Sequence, residues 1–410
     1  MIDLCLALLP NPALQHPKMY IPLGILYIAA VVEKADYKVE VLDLRDGAQP
    51  FPDARFYGFS CTTPEINDAK TLAKQVKGRT IIGGAHASLL PEDCEGYFDY
   101  IVQGEGERTI IDILEGRVDH GRIQSPRLVR LDDVPYPAWH KLDNPFSDTL
   151  FPGEGHGIGA KASPLIASRG CSWFCAFCGN VFQRPVRFRS IENITGELKE
   201  LIKLGIKHFR FEDDNFTVHP RFEDLCESIA ELGINYKAHT RSDMLTHKQA
   251  NAMKMSGCEE CGLGVESADD NVLRINKKHE TASQHRQAVE VLKACGIRPK
   301  IYWMAGLPGE TDETLELNKQ FMIDTKPAKW TLSCFTPYPG CEVYNYPERF
   351  GIEIVNRNWA TWWNFVIQEK HVILKGREGF NHVLVGQTKE QMTERHNRFR
   401  DFLEAEEWRN

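Results

Sequence analysis

Three cysteines lie close together in the run Ser168-Arg169-Gly170-Cys171-Ser172-Trp173-Phe174-Cys175-Ala176-Phe177-Cys178-Gly179. Cys171, Cys175 and Cys178 are separated by three and two residues, so one short loop carries three soft thiolate ligands that can converge on one metal centre. A closed structural zinc site takes four protein ligands, and an electron-transfer iron–sulfur cluster takes four cysteines. No fourth cysteine is nearby in the sequence. Three ligands leave an open coordination position, and an open position implies chemistry at the metal. Two other readings stand beside this one: a zinc site completed by a distant residue, and three incidental cysteines.

The surrounding sequence must position that loop. From Pro164 to about Pro337, strand-like runs at 165–168, 208–212, 236–239, 261–265, 298–304 and 330–335 alternate with helical ones at 193–204, 221–232, 247–255, 281–294 and 313–324. Strand–helix alternation with short loops builds a parallel sheet. A closed eight-unit barrel needs roughly 250 residues, so about six repeats predict a partial barrel, open along one side. The cysteine loop then sits at the carboxyl end of its first strand, where such sheets bind ligands.

A first alternation occupies residues 1–118, with strands at 4–9, 39–44, 56–60, 80–83 and 100–102 and helices at 23–34, 66–76 and 107–114. Two strands end in glycines, Gly83-Gly84 and Gly104, where a ligand can approach the backbone closely. Residues 119–160 read as a linker containing Leu131-Asp132-Asp133-Val134-Pro135-Tyr136-Pro137. The barrel is expected over 161–340 and a tail over 341–410, with a charged helix at 389–407. Trp359, Trp362 and Trp363 read as packing, with a substrate lid as the other reading.

The net charge of -8 gives the chain no bulk reason to coat nucleic acid or an anionic membrane. The apolar run 21–32 is too short to span a bilayer, which takes about 20 residues, and no signal peptide is apparent. A cytoplasmic protein is expected, and in a reducing compartment cysteines pack or bind metal rather than form disulfides. Cys258 and Cys261 are spaced like half a second metal site, but Cys261 on a strand reads better as a small apolar residue.

The cysteine segment resembles the radical SAM superfamily, in which three such cysteines hold three irons of a [4Fe–4S] cluster. The fourth iron is chelated by S-adenosylmethionine, which reduction splits to methionine and a 5′-deoxyadenosyl radical. Phe177, the aromatic residue before the third cysteine, also matches. The resemblance implies SAM contacts from Phe177, from Asp214 and Asn215 after the second strand, and from Arg241 after the third. It implies more from Glu266 and Ser267 at the end of the fourth strand, and from Gly306 and Pro308 after the fifth. Each has a structural reading too: helix capping for Asp214 or Asn215, an ion pair for Arg241, and a turn with an N-cap for Gly306 to Thr311.

The first domain resembles the cobalamin (B12)-binding domain that precedes the barrel in one radical SAM class. The phrases that match are Pro22 to Ala30, Val41 to Leu44, Gly58 to Thr62, Ile82 to His86 and Val102 to Glu107. The fold implied is α/β: a Rossmann-like parallel sheet, a partial (β/α)6 TIM barrel and a short, mainly helical tail. The resemblance places the cobalamin tail along Ser60, Thr62, Gly83, Gly84, His86 and Gly104. His86 reads as a hydrogen-bonding histidine rather than a cobalt ligand. One departure is visible: only eleven residues separate Leu44 from Phe56, too few for the helix the family carries there with its loops.

The two resemblances together imply C-methylation of an unactivated carbon by a cobalamin-dependent radical SAM enzyme. The alternatives are a radical SAM enzyme without methyl transfer (cyclisation, ring rearrangement or sulfur insertion) and an iron–sulfur sensor or scaffold. The expected partners are a small-molecule or peptide substrate and an electron donor such as flavodoxin or ferredoxin, with no nucleic acid and no membrane.

Overall fold

Alternate residues of the first strand go to opposite sides of a sheet: Cys5 and Ala7, with Leu9 just beyond it, enter one buried cluster, and Leu4, Leu6 and Leu8 enter another. A strand buried on both faces is the mark of a parallel sheet covered on both sides. The computed structural model describes all residues except 13, 15–17, 19, 145, 147–160, 364–365, 369–370, 373–379 and 410. Residues 145 and 147–160 of the expected linker therefore lie outside the described residues. The chain divides into two compact units: Met1–Pro164 with Gly179–Ile206 and Trp359–Thr361, and Leu165–Cys178 with Lys207–Asn358 and Trp362–Asn410.

In the first unit, β1 (Ile2–Leu8), β2 (Val39–Asp43), β3 (Ala54–Ser60), β4 (Arg79–Gly83), β5 (Tyr100–Gln103) and β6 (Gly121–Gln124) form a sheet in the order β2-β1-β3-β4-β5-β6. Every strand pairing along it is parallel. Its helices are α1 (Leu23–Lys34), α2 (Ile66–Ala73), α3 (Gly84–Leu89) and α4 (Thr109–Leu114). The chain passes from β2 to β3 without a helix, as the short spacing predicts. Phe51 packs there instead, its ring edge-on to Tyr57 at 5.7 Å and Phe59 at 6.3 Å, and Trp359 packs against the same cluster.

Strand β6 falls in the stretch expected to be linker. Its exposed Arg122 and Gln124 alternate with half-buried neighbours, an edge-strand pattern with too few apolar residues to announce itself. The segment β9 (Arg187–Phe188) with α5 (Ile191–Lys203) belongs to this unit and is tied to it by the buried ion pair of Arg187 with Glu105, while Arg189 and Glu197 pair at 2.6 Å within the segment.

The other sheet has the order β17-β16-β14-β13-β12-β11-β10-β7. Its strands are β7 (Ala162–Leu165), β10 (His208–Phe211), β11 (Asn235–Thr240), β12 (Cys258–Glu266), β13 (Arg298–Ala305), β14 (Lys329–Cys334), β16 (Val366–Gln368) and β17 (His371–Val372). From β10 to β14 the pairings are parallel and follow chain order, while β16 and β17 add on antiparallel. Among the described residues β7 and β14 do not pair, so the barrel stays open, as expected.

The expected strand over 165–168 is split into β7 and the short β8 (Ser168–Arg169). Helices α6 (Phe222–Ala230), α7 (His247–Met255), α8 (Asp270–Ile275), α9 (Ala282–Ala294) and α10 (Asp312–Thr325) follow the strands; α11 (Glu342–Asn345), β15 (Ile352–Ile354), β18 (His382–Leu384) and α12 (Lys389–Ala405) form the tail. Thr246 with Gln249, Thr281 with Gln284, and Thr388 with Gln391 make capping boxes that start α7, α9 and α12. Cys258 and Cys261 are buried on β12, so the second-metal reading yields to packing. Trp362 and Trp363 are buried too, and Trp362 donates to the Asn356 carbonyl at 2.9 Å. No described helix is long and apolar enough to cross a membrane.

Candidate functional site

Beyond β8 the backbone turns sharply: Cys178 N–H donates to the Cys175 carbonyl at 3.1 Å, and Ala176 N–H donates to the Asn276 carbonyl at 2.9 Å. The loop's other anchor is α11, whose Val343 N–H donates to the Ala176 carbonyl at 3.1 Å. Cys171 and Cys175 are half-buried and Cys178 is exposed, and all three are free of disulfides. Among the described residues no three His, Cys, Asp or Glu side chains converge on one metal-ion position. Three soft ligands on one loop, each to its own iron, remain consistent with a polynuclear iron–sulfur centre.

A cation sits beside Cys175. Arg241 Nη1 lies 3.8 Å from the Cys175 sulfur, and its guanidinium stacks over the Trp173 ring at 4.6 Å. Asp243 grips the guanidinium through both oxygens, at 2.9 and 3.0 Å, and Arg241 Nη2 also donates to the Lys278 carbonyl at 2.9 Å. The ion-pair reading of Arg241 therefore holds, and the same side chain also faces a thiol. Burial pushes the Cys175 thiol pKa up, while Lys278 and Arg241 pull it back down. The net shift is upward, so the two cations offset only part of the effect of burial.

Lys278 was not legible as a site residue, because a Lys-Lys-His-Glu run reads as a solvated turn. It is buried, with its ammonium 3.1 Å from Glu280 and 3.9 Å from Glu266. Burial pushes the Glu266 carboxyl up to about 7, against the pull of Lys278. Glu266 sits at φ +63°, a conformation uncommon for a residue with a side chain, where the β12–β13 register shifts. Ser267 beside it is buried and accepts from Asp269 N–H at 3.1 Å.

After β10, Asn215 is buried and its Oδ1 accepts from Thr240 at 2.8 Å and Thr217 at 3.1 Å. Its Nδ2 has no partner, and it does not cap the short helix it precedes. An orphaned buried donor costs free energy unless a ligand completes it. Asp214 is exposed. Asp213, which the sequence did not single out, is buried and takes hydrogen bonds from Ala167 N–H at 3.0 Å and the Ser168 hydroxyl, fixing the approach to the cysteine loop.

Gly306 and Pro308 are turned to structural duties. Gly306 N–H donates to Glu310 at 2.8 Å, its carbonyl pairs with His382 Nε2 at 2.7 Å, and the Pro308 carbonyl accepts from Asn276 Nδ2 at 2.9 Å. That is the turn reading; Thr311 then caps α10. Phe177 is half-buried on the cysteine loop.

In the first unit Ser60 and Gly83 are register partners at the carboxyl ends of β3 and β4. Gly84 has φ +87°, and a Cβ there would lie 2.8 Å from backbone atoms of Cys61, so the glycine is required by the fold itself. At Gly83 a Cβ would meet nothing nearer than 4.0 Å, which leaves space at the strand end. Ser88, missed in the sequence, joins these elements by donating to the Gly84 carbonyl at 2.7 Å and accepting from Gly104 N–H at 2.9 Å. Thr62 is spent on a capping box with Glu65. His86 is buried, with Nδ1 3.2 Å from Thr63 and Nε2 3.1 Å from Asp93, so both ring nitrogens are engaged within the protein. The strand ends thus fit a nucleotide tail at Ser60 and Gly83, and they do not offer His86 to a metal.

Residues 165–322 match the family model described as the radical SAM superfamily, and residues 17–114 match the B12 binding domain. The chain is 30% identical over 381 residues to an uncharacterized methyltransferase of Pyrococcus horikoshii, covering 82% of this chain and 80% of that protein. It is 28% identical to the hopanoid C-3 methylase of Methylococcus capsulatus, covering 83% and 72% of the two. Among solved structures, the radical S-adenosylmethionine methyltransferase TsrM from Kitasatospora setae, with cobalamin and a [4Fe-4S] cluster bound, aligns over 87% of this chain and 78% of that one. The TM-score is 0.66 at 15% identity, a likeness of fold.

Proposed function

Because this chain belongs to the radical SAM superfamily and carries a B12-binding domain ahead of its barrel, we propose that it is a cobalamin-dependent enzyme that methylates an unactivated carbon of a small molecule. The observation that carries the reading is the loop of Cys171, Cys175 and Cys178 with Arg241 at its edge. When bound there, a [4Fe–4S] cluster supplies the electron that cleaves SAM to the 5′-deoxyadenosyl radical, and cobalamin supplies the methyl group.

The chain's own residues hold and orient. Cys171, Cys175 and Cys178 are the ligands. Arg241 donates toward Cys175, and Asp243 keeps its guanidinium in place. The unpartnered Asn215 amide is suited to an acceptor on SAM, such as its carboxylate or ribose. Glu266 at the end of β12 and Ser267 after it would contribute polar groups to SAM. Phe177 offers an aromatic face from the loop. Asp214, Gly306 and Pro308 contribute by shaping the adjoining turns. In the first unit the space over Gly83 and the Ser60 hydroxyl suit the cobalamin tail, Gly84 and Gly104 shape the path, and Thr62 and His86 brace it. An electron donor such as flavodoxin or ferredoxin and a cytoplasmic setting complete the reading.

The test is anaerobic purification after growth with cobalamin, reconstitution with iron and sulfide, and incubation with methyl-labelled SAM and candidate metabolite fractions. Iron–sulfur and cobalamin absorption together with labelled product is expected. Bound cobalamin without methylated product from any fraction argues for cyclisation or rearrangement instead.

A further inference from the structure

Ala176 follows the second cysteine of the loop, is fully buried, and has both of its backbone groups engaged. Its N–H donates to the Asn276 carbonyl, just past the end of α8. Its carbonyl accepts from Val343 N–H of α11, the short helix that follows β14. Among the described residues β7 and β14 do not pair, so the sheet leaves that side open. The Ala176 peptide nonetheless joins the loop after β8 to the segment after β14.

Three consecutive residues past α8 reach three further elements. Asn276 Nδ2 donates to the Pro308 carbonyl and to the Val272 carbonyl, each at 2.9 Å. Lys277 Nζ donates to both oxygens of Glu342 on α11, at 2.5 and 2.7 Å, and lies 6.0 Å from the centre of the Phe350 ring. The Lys278 carbonyl accepts from Arg241 Nη2 at 2.9 Å. Lys277 sits at φ +53° and His279 at φ +56°, a left-handed conformation uncommon for residues with a side chain. Such backbone persists where the surrounding contacts over-determine it. Here Lys277 meets its carboxylate near the surface, while Lys278 enters the interior between Glu266 and Glu280.

Helix α11 has only four residues, Glu342–Asn345, with Cys341 Sγ accepting from Tyr344 N–H at 3.3 Å at its start. A single helical turn has little stability of its own, so contacts from outside must place it. The two-oxygen grip of Lys277 on Glu342 is such a contact. It acts one residue away from Val343, whose N–H holds the Ala176 carbonyl.

We propose that Lys277 and Glu342 are positioning residues for the iron–sulfur cluster. Their ion pair fixes α11, α11 fixes the Ala176 peptide, and that peptide spaces Cys175 from Cys178. The proposal rests on the cluster reading of the three cysteines and adds two residues outside the ligand set. The side chains of Lys277 and Glu342 are 44% and 33% exposed, so replacing them leaves the core packing untouched.

The test compares the native protein with Lys277→Glu, Glu342→Lys and the double variant that exchanges the two charges. Release of iron from the reconstituted holoenzyme to a ferrous chelator is timed without oxygen. Each single variant is expected to speed release about fivefold, the scale of one partly exposed ion pair, and the exchange to restore the native rate. A charge acting directly on the cluster would instead change the two single variants in opposite senses. Thermal midpoints of the metal-free proteins are expected to stay equal, which separates positioning from general stability. Hydrogen exchange of the metal-free proteins is read on the peptides that hold Ala176 and Val343. It is expected to quicken in both single variants and to recover in the exchange. Unchanged release in the single variants, or faster release that the exchange does not restore, overturns the inference. A native protein that takes up no cluster sinks the ligand reading, and hydrogen exchange at Ala176 and Val343 then decides the clamp by itself.

Discussion

Arg241 reaches the sulfur of Cys175 at 3.8 Å while Asp243 holds the same guanidinium from the other side through two hydrogen bonds. The pair ties the third strand's end to the cysteine loop. A positive charge beside a cluster sulfur favours the reduced, more negative state. Arg241→Gln is expected to make the cluster's reduction potential more negative, on the order of tens of millivolts because Asp243 already offsets much of the charge. Electron paramagnetic resonance during a redox titration measures it, and an unchanged potential rejects the role.

Cys175→Ala removes one of the three thiols while leaving Ala176 and its hydrogen bonds in place. Iron content and visible absorption after reconstitution are expected to fall sharply, and SAM cleavage to be lost. A variant with the full cluster absorption of the native protein means the ligands have been misread.

Gly84→Ala forces a side chain into φ +87° and against the Cys61 backbone at 2.8 Å. The first unit is expected to lose about 1–3 kcal/mol. Gly96→Ala is the control, since Gly96 has a similar φ of +75° with nothing within 4 Å of its Cβ position. Thermal midpoints of the two variants are compared, and equal midpoints contradict the close-contact argument.

Asp213 is raised to about 6 by burial, from an ordinary value of 3.8, against the hydrogen bonds of Ala167 and Ser168. The folded protein therefore binds this proton more tightly than the unfolded chain does. Its contribution is fully present below the unfolded pKa and is lost as pH rises through about 6, a change of about 3 kcal/mol. Asp213→Asn is expected to flatten the fall in thermal midpoint between pH 4 and 7. A variant whose pH profile parallels that of the native protein rules this out.

Much of the fold was legible. Helix α1 occupies the expected residues 23–34, and α7 the expected 247–255, because apolar spacing and a Thr-x-x-Gln cap act within a single turn. The missing helix after β2 could be counted from eleven residues. Strand β6 was not legible, because an edge strand buries only one side and its polar residues imitate a linker. Nor were Lys278 and Asn276, since a charged or amide residue in a polar run looks solvated until distant elements close over it.

The sequence by itself determined the chemistry at the loop. The spacing of Cys171, Cys175 and Cys178 after a barrel strand is a covalent fact, and no packing is needed to read it. Tertiary structure decided which nearby polar residues remain available to a ligand. Gly306 and His86 carried as much sequence resemblance as Asn215, yet their polar atoms are consumed by Glu310, His382, Thr63 and Asp93, whereas the Asn215 amide is left over. Whether a hydrogen-bonding group is already satisfied depends on partners far away in the chain, and only the folded arrangement brings those partners within reach.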